Sequence, residues 1–199
     1  MQWSLDHAND ERDPAERSLD MISKRLGALS FAAIQSSVIT SSNLLFDLAA
    51  SPLTPFYMEA IRNEVRAELR GENGKWTKTA LARMTTLDST LRESMRLWGF
   101  VSRGVVKMVV AKEGVDLPDG THLPCGTKVG VHAYPVHHDE SIYPRATEFD
   151  ALRFCKSPDK DGLSNGHPEK MSGAGMQRGI PLVTTSPNFM AFSHGKHAW

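Results

Sequence analysis

The chain has 199 residues, a length that suits one domain or at most two small ones. Hydrophobic residues make up 40% and charged residues 23%, as in ordinary soluble proteins, and 23 basic side chains balance 23 acidic ones, which excludes a strong positive field for binding nucleic acid. No uninterrupted stretch of about 18 apolar residues and no signal peptide occur, and two cysteines are too few for a disulfide framework, so we expect a cytoplasmic protein with no transmembrane segment.

The first predicted element is a long helix over residues 17–50. Apolar residues recur there at steps of three and four, and no proline interrupts them. The middle of this segment, 32–42, is rich in small and hydroxyl side chains, which permit close approach of another backbone or of a flat ligand. Ordinary packing against a neighbouring helix is the alternative explanation.

Residues 54–98 are predicted to form further helices. In the first of them Thr54 is the expected cap, a proline follows at the first helical position, and Gly71 suits the exit. In the last of them Thr86 is the expected cap and Gly99 marks the end.

The sequence changes character after this helical half. Residues 99–133 alternate β-branched residues with turn signals at 117–121 and 123–127, and they predict a small β region. Residues 134–199 are punctuated by proline, aromatic residues and glycine and predict irregular structure, with a polar surface loop at 155–179. Helices followed by short strands predict an α+β fold that is mainly α.

Three arginines and one glutamate stand out as candidate functional residues. Glu93 and Arg96 are three positions apart on the last predicted helix and so share one face. An exposed pair of this kind contributes only about 0.3–0.5 kcal/mol, and the spacing taken alone favours that interpretation. Arg103 follows the helix, and Arg153 lies between two phenylalanines, where an arginine often packs its stem and directs its guanidinium toward a carboxylate.

Four stretches together resemble the cytochrome P450 family. ESMR (93–96) resembles the Glu-x-x-Arg of its K-helix, and LPDGTHLPCGTKVGVHAYPVHHDESIYPRATEFDALRF (117–154) resembles the stretch that follows. FSHGKHAW (192–199) resembles the haem-binding loop, and FAAIQSSVIT (31–40) resembles the oxygen-side I-helix. The likeness is nearest to fungal members that oxidise secondary metabolites, including terpenoids. It implies a single partial P450 domain over 1–199, with a long I-helix, J and K helices, a small β region and an incomplete haem loop.

The resemblance implies a haem cofactor and assigns contacts to it. Arg103 and His197 match the positions that bind haem propionates, and Gly195 matches a glycine whose backbone lies against the porphyrin. In place of the first glycine of the family's loop stands Ser193, which has less backbone freedom.

Other matched positions are implied to support the fold or the chemistry. Glu93, Arg96 and Arg153 match a structural triad that holds the haem loop through buried charges. Ser36 matches the I-helix threonine that helps to deliver protons to bound oxygen, and Gln35 occupies the place of its acidic or histidine neighbour. We also expect the N-terminal half of the family, with its membrane anchor, and the helix after the haem loop to be absent from this chain.

The main departure from the family is Trp199, which occupies the position of the axial cysteine. Indole offers an N–H donor and no lone pair for iron, so the resemblance leaves the chain with no metal ligand and predicts that it does not hold thiolate-ligated haem. His194 or His197 could supply an imidazole instead, and rescue by Cys125 or Cys155 is less favoured because they lie in other segments. A metal site at 137–139 is the alternative to a structural turn there, and the turn is favoured.

Three hypotheses about function remain open at this point. The first is a truncated haem monooxygenase, related to enzymes that oxidise lipophilic metabolites but without oxygenase activity. The second is a repurposed, haem-free cyclase or isomerase that orients a flexible hydrocarbon such as a terpenoid-like substrate, since proximity alone can contribute about 7–11 kcal/mol. The third is a non-catalytic protein that binds a lipophilic small molecule, docks on a full-length P450, or self-associates through apolar helix faces.

Overall fold

The computed structural model describes residues 6–7, 13–99, 106–155 and 181–195. Arg103, His197 and Trp199, together with most of the predicted loop at 155–179, lie outside these ranges. Two compact units are distinguished, residues 1–42 and residues 43–199. As the sequence predicts, the fold is mainly helical with a small antiparallel β region.

The first unit is helical wherever it is described. A short 3₁₀ turn, Pro14–Arg17, precedes α1 (Leu19–Ser30), and the Ser18 hydroxyl caps α1 by accepting the Met21 N–H at 3.3 Å. A π-helical turn, Phe31–Gln35, then leads directly into α2 (Ser36–Ala50). Such turns inside α-helices are frequent at functional sites. This one ends at the candidate residue Gln35, directly before the candidate residue Ser36.

The continuous helix Leu19–Ala50 has the length and composition of a membrane span. It covers 32 residues with a window of mean hydropathy 1.2, and none of that window is buried. The sequence predicted no transmembrane segment, because a few polar residues interrupt the apolar residues of this helix. A core helix of a soluble protein passes the same test, so the finding is weak evidence for a membrane location.

Three helices follow in the second unit: α3 (Thr54–Gly71), α4 (Lys78–Arg83) and α5 (Thr85–Trp98). Thr54 does not cap α3, because its hydroxyl donates to the carbonyls of Leu48 and Ser51. Helix α3 continues through Gly71 as its last residue.

The cap of α5 comes from a different helix. The Glu64 carboxylate, on α3, accepts the N–H groups of Thr86 and Leu87 at 2.7 and 3.0 Å. The prediction that Thr86 caps this helix is therefore wrong, because a carboxylate from α3 already satisfies the first free amides. A negative group at this end is also favoured by the helix dipole.

The β region consists of two small antiparallel pairs. Strand β1 (Lys107–Met108) pairs with β4 (Lys128–Val129), and β2 (Val115–Asp116) pairs with β3 (His122–Leu123). The turn between β2 and β3 is closed by the Gly120 N–H, which donates to the Leu117 carbonyl at 2.9 Å. A short helix, α6 (Ala133–His137), then begins where the sequence predicted the β region to end.

Helix α5 is the central element of the second unit. Most of its buried side chains are polar or charged, and its last residue, Trp98, donates its indole N–H to Asp47 on α2 at 2.7 Å. Burial raises the pKa of Asp47, although the hydrogen bond from Trp98 opposes the rise. Apolar contacts are gathered in two clusters, one built on Leu48, Tyr57, Ala151 and Leu152, and one on Met95, Phe189 and Ala191.

Candidate functional site

Glu93, Arg96 and Arg153 form one buried ion-pair network. The Arg96 guanidinium binds the Glu93 carboxylate with two bonds of 2.8 Å, and neither side chain exposes any surface. Arg153 adds a third bond, from its Nε to Glu93 Oε1 at 2.9 Å. The prediction of an exposed Glu93–Arg96 pair, which the spacing alone favours, is therefore wrong. The chain after α5 folds back over this face of the helix and buries the pair.

The two arginines also bind backbone carbonyls of the segment that covers them. Arg96 donates to the carbonyls of His137 and Ala146, the latter at 2.7 Å. Arg153 donates to the carbonyl of Pro144 at 2.7 Å and to those of Arg145 and Glu148, each at 3.1 Å. The network therefore fixes the course of the backbone over 137–148.

A further buried arginine, Arg92, was not singled out by the sequence. It is 2% exposed, and its Nη1 donates to the carbonyls of Pro181, Leu182 and Thr184 at 2.8, 3.0 and 2.8 Å. Burial lowers the pKa of Arg92. No periodicity could reveal this role, because its partners are main-chain atoms about ninety positions away.

Two aromatic side chains hold the same C-terminal segment, which we define as residues 181–195. The Tyr143 hydroxyl donates to the carbonyl of Asn188 at 2.7 Å. The imidazole of His137 lies between the Arg96 carbonyl, 3.1 Å from Nδ1, and the Met190 N–H, 2.9 Å from Nε2. Residues of α5 and of the stretch after it thus grip the C-terminal segment largely by its backbone.

The end of the C-terminal segment contains two residues with positive φ. Ser193 has φ +66° and closes a turn by donating its N–H to the Met190 carbonyl at 2.9 Å. Gly195 has φ +92°, and no heavy atom lies within 4 Å of the place that a Cβ would take. Backbone conformation, and not crowding within the described chain, is therefore what favours glycine at 195.

The remaining candidate residues lie in the other unit or outside the described ranges. Gln35 ends the π-helical turn, and Ser36 begins α2 with its hydroxyl donating to the Ala32 carbonyl. These two belong to the unit 1–42, whereas the ion-pair network and Gly195 belong to the unit 43–199.

The alternative metal ligands that the structure describes do not come together in a site. No group of three or more histidine, cysteine or acidic side chains suited to a metal ion occurs in the part of the chain that the structure describes. Both ring nitrogens of His137 are engaged, and Asp139 accepts from Ser141, so 137–139 is a structural turn. Burial raises the pKa of Cys155 to about 11, which keeps this thiol protonated near neutral pH.

A cavity of about 280 Å³ lies beside the network. It is lined mostly by apolar surface, with Trp98, Tyr134, His137 and Ala191 among its walls. This volume is near the lower limit of the pockets that bind drug-sized molecules, and the cavity therefore does not identify a ligand.

Comparison with known proteins decides the family. The family model described as cytochrome P450 matches residues 1–198. The chain belongs to the cytochrome P450 family. It is 33% identical to cytochrome P450 monooxygenase gloP of Glarea lozoyensis over 100% of its own length and 36% of that protein. The same measures are 35%, 100% and 34% for CYP512U6 of Ganoderma lucidum, and 31%, 99% and 41% for avaH of Aspergillus versicolor.

The chain thus spans between a third and about two fifths of the length of these P450 relatives. All three are fungal monooxygenases by name, as the resemblance implied. Membership of the P450 family implies haem. The activity and substrate of the whole protein are matters for proposal.

The residues of this chain fit a P450 haem only in part. At Gly195 the structure offers bare backbone with open space beside it, which suits close approach of a flat group. The resemblance places the iron ligand at position 199, which lies outside the described residues. The described residues thus fit the group at the loop backbone.

Proposed function

We propose that this chain forms the haem-loop scaffold of a fungal P450 monooxygenase that oxidises a lipophilic secondary metabolite, and that with Trp199 it does not itself oxygenate a substrate. The buried network of Glu93, Arg96 and Arg153 supports the scaffold role most strongly. Its bonds end on the backbone that leads toward the haem loop, so the charges act by holding main chain.

Energetics supports a specific role for this network. A buried ion pair is weak evidence for stability, since well-packed apolar residues often replace one at no loss. A buried triad whose spare donors are satisfied by carbonyls of 137–148 specifies a single backbone path, which apolar side chains could not do. A unique path is what a loop must have if it is to present a ligand.

The other residues take their roles in this proposal from the family. Arg103 and His197 would bind the haem propionates through charge-assisted hydrogen bonds, and Gly195 would let the backbone lie against the ring. Ser36 and Gln35 hold and move protons on the oxygen side. When bound in this family, haem supplies oxygen activation through an iron held by a thiolate, which Trp199 does not provide.

Titration of hemin into the purified 199-residue chain tests both parts of the proposal. Weak hemin binding without a thiolate-type CO-difference spectrum is expected, and Arg103→Ala or His197→Ala should weaken it. Arg70→Ala is the matched control, because Arg70 is exposed and bonds a carbonyl of its own helix. Equal hemin affinity in the wild type and all three variants would refute the scaffold role. Hydroxylation of any compound with oxygen and a reductant would refute the proposed lack of oxygenase activity.

Location and partners belong to the same proposal. We place the domain on the cytoplasmic side, with the lipophilic substrate as its small-molecule partner. Docking on a full-length P450, self-association and the haem-free cyclase or isomerase stay predictions.

A further inference from the structure

His137 joins three separate parts of the unit 43–199. It ends α6, it contacts the carbonyl of Arg96 near the end of α5, and it contacts the N–H of Met190 in the C-terminal segment. The side chain is buried, with the residue 3% exposed, and its ring stacks on Phe189 with 5.5 Å between the ring centres. One imidazole therefore lies where α5, α6 and the C-terminal segment meet.

The chemistry of these two contacts fixes the state of the ring. A carbonyl oxygen can only accept a hydrogen bond, so the proton must be on Nδ1, facing Arg96. A backbone N–H can only donate, so Nε2 must be the bare acceptor for Met190. The two contacts are satisfied together only by neutral imidazole with the proton on Nδ1.

Met190 connects the His137 ring to the end of the C-terminal segment. Met190 presents its N–H to His137, and its carbonyl accepts the Ser193 N–H at 2.9 Å. Ser193 has φ +66°, a conformation that persists only when its surroundings hold it in place. The bond from His137 fixes the residue on which that turn closes.

We propose that His137 is a positioning residue of the haem loop. Its neutral ring fixes the position of Met190 relative to α5 and so holds the turn at Ser193. This inference rests on the proposed function only in identifying 192–199 as the haem loop. It concerns the His137 ring, whereas the Glu93–Arg96–Arg153 network binds the backbone before the C-terminal segment, including the His137 carbonyl.

The charged groups around His137 favour the neutral ring. Arg96 and Arg92 face it from α5, and His138 follows it directly after the end of α6. From the C-terminal segment it meets an uncharged N–H and the Phe189 ring. Burial, more than these charges, lowers the pKa of His137 to about 4.

Two amide substitutions separate the two bonds of the ring. His137→Asn places a donor near the position of Nδ1 and removes the acceptor for Met190. His137→Gln can place its oxygen near the position of Nε2 and so keeps that acceptor. His138→Asn is the matched control, since the His138 ring contacts the Tyr134 carbonyl and the Tyr134 ring and neither Arg96 nor Met190.

Backbone hydrogen exchange of the full 199-residue chain, followed by mass spectrometry at neutral pH, is the measurement. Losing one buried hydrogen bond should accelerate exchange at 189–195 by about ten-fold in His137→Asn, with α5 close to wild type. His137→Gln should restore protection at 189–195, and His138→Asn should leave it unchanged. Equal behaviour of the Asn and Gln variants, or equal acceleration throughout the chain, would overturn the positioning role.

Two further arms keep the test decisive. If His137→Asn does not fold, the wild-type chain is followed as the pH falls toward 4: protection at 189–195 should be lost before that of α5, and simultaneous loss contradicts the proposal. Hemin affinity is measured on the folded variants, and His137→Asn should bind more weakly than His137→Gln. If no variant binds hemin, the proposed function fails, while the exchange data still decide the role of His137.

Discussion

The guanidinium of Arg92 lies over the ring of Phe189, with 3.6 Å between its central carbon and the ring centre. A second ring, that of Phe154, lies 4.9 Å from the same carbon. Cation–π contact of this kind compensates in part for taking a charge out of water. The same guanidinium binds the carbonyls of Pro181, Leu182 and Thr184. One side chain therefore joins α5 to the C-terminal segment both by ring contact and by hydrogen bonds.

Replacing Arg92 with methionine should be strongly destabilising. Methionine fills much of the space but leaves the carbonyls of Pro181, Leu182 and Thr184 without a donor, and we expect a loss of about 2–4 kcal/mol in the free energy of unfolding. Urea unfolding measures it. Arg70→Met, at an exposed site on α3, is the control and should change the value by less than about 0.5 kcal/mol. Equal losses would mean that the carbonyl bonds contribute nothing.

Neutralising Glu93 should cost more than neutralising a carboxylate on the surface. Glu93→Gln leaves the charges of Arg96 and Arg153 uncompensated in a fully buried site, and a loss of about 3–5 kcal/mol is expected. Glu72→Gln breaks an ion pair with the exposed Arg83 and should cost at most about 1 kcal/mol. Thermal or urea unfolding of both variants checks the difference, and a small effect at Glu93 would show that the triad is dispensable.

Ser193→Gly should stabilise the chain. A residue with a Cβ in the left-handed region costs roughly 1–2 kcal/mol, and glycine removes most of that cost at φ +66°. Gly195→Ser is the reverse experiment, since φ is +92° there and only the backbone conformation opposes a side chain. Both are measured by unfolding, and a loss of stability in Ser193→Gly would indicate that the serine hydroxyl has a role of its own.

Stability should fall with acid through His137. Its pKa is lowered from 6.5 to about 4 in the folded chain, so between these values the unfolded state takes up a proton that the folded state refuses. The free energy of unfolding is therefore highest above pH 6.5 and decreases by up to about 1.4 kcal/mol per pH unit toward pH 4 from this group. The difference between wild-type and His137→Gln unfolding curves isolates it, because glutamine does not titrate. Parallel curves across that window would exclude the effect.

Local patterns were sufficient to predict the long helices before residue 99 and to mark the charged residues, whereas the short helix α6 lies where irregular structure was expected. Three-and-four spacing over 17–50 corresponds to α1, the π-helical turn and α2, because one amphipathic segment carries its own signal. The P450 resemblance drew attention to Glu93, Arg96 and Arg153, and the structure shows their bonds. Spacing alone pointed to a surface pair, since it contains no information on what covers a helix face.

The features that the sequence did not reveal depend on contacts between distant residues. Glu64 caps α5 from α3, more than twenty positions before the amides that it binds. Arg92 and His137 act on main-chain atoms, which every residue has, and therefore no side-chain pattern in the C-terminal segment indicates their presence. Threonine prefers the cap position, which predicts a cap at Thr54, but its hydroxyl donates to the carbonyls of Leu48 in α2 and of Ser51 just after α2.

Attachment of the C-terminal segment through hydrogen bonds to its main-chain atoms has an evolutionary consequence. The anchoring groups bind the peptide units of residues 181–190, so side chains such as the outward-facing Val183 are free to drift without loosening the attachment. Proline is the exception at Leu182 and Met190, whose amide hydrogens are needed. Replacing the exposed Val183 with other residues should accordingly leave folding unchanged, which makes this position a suitable place to attach a label.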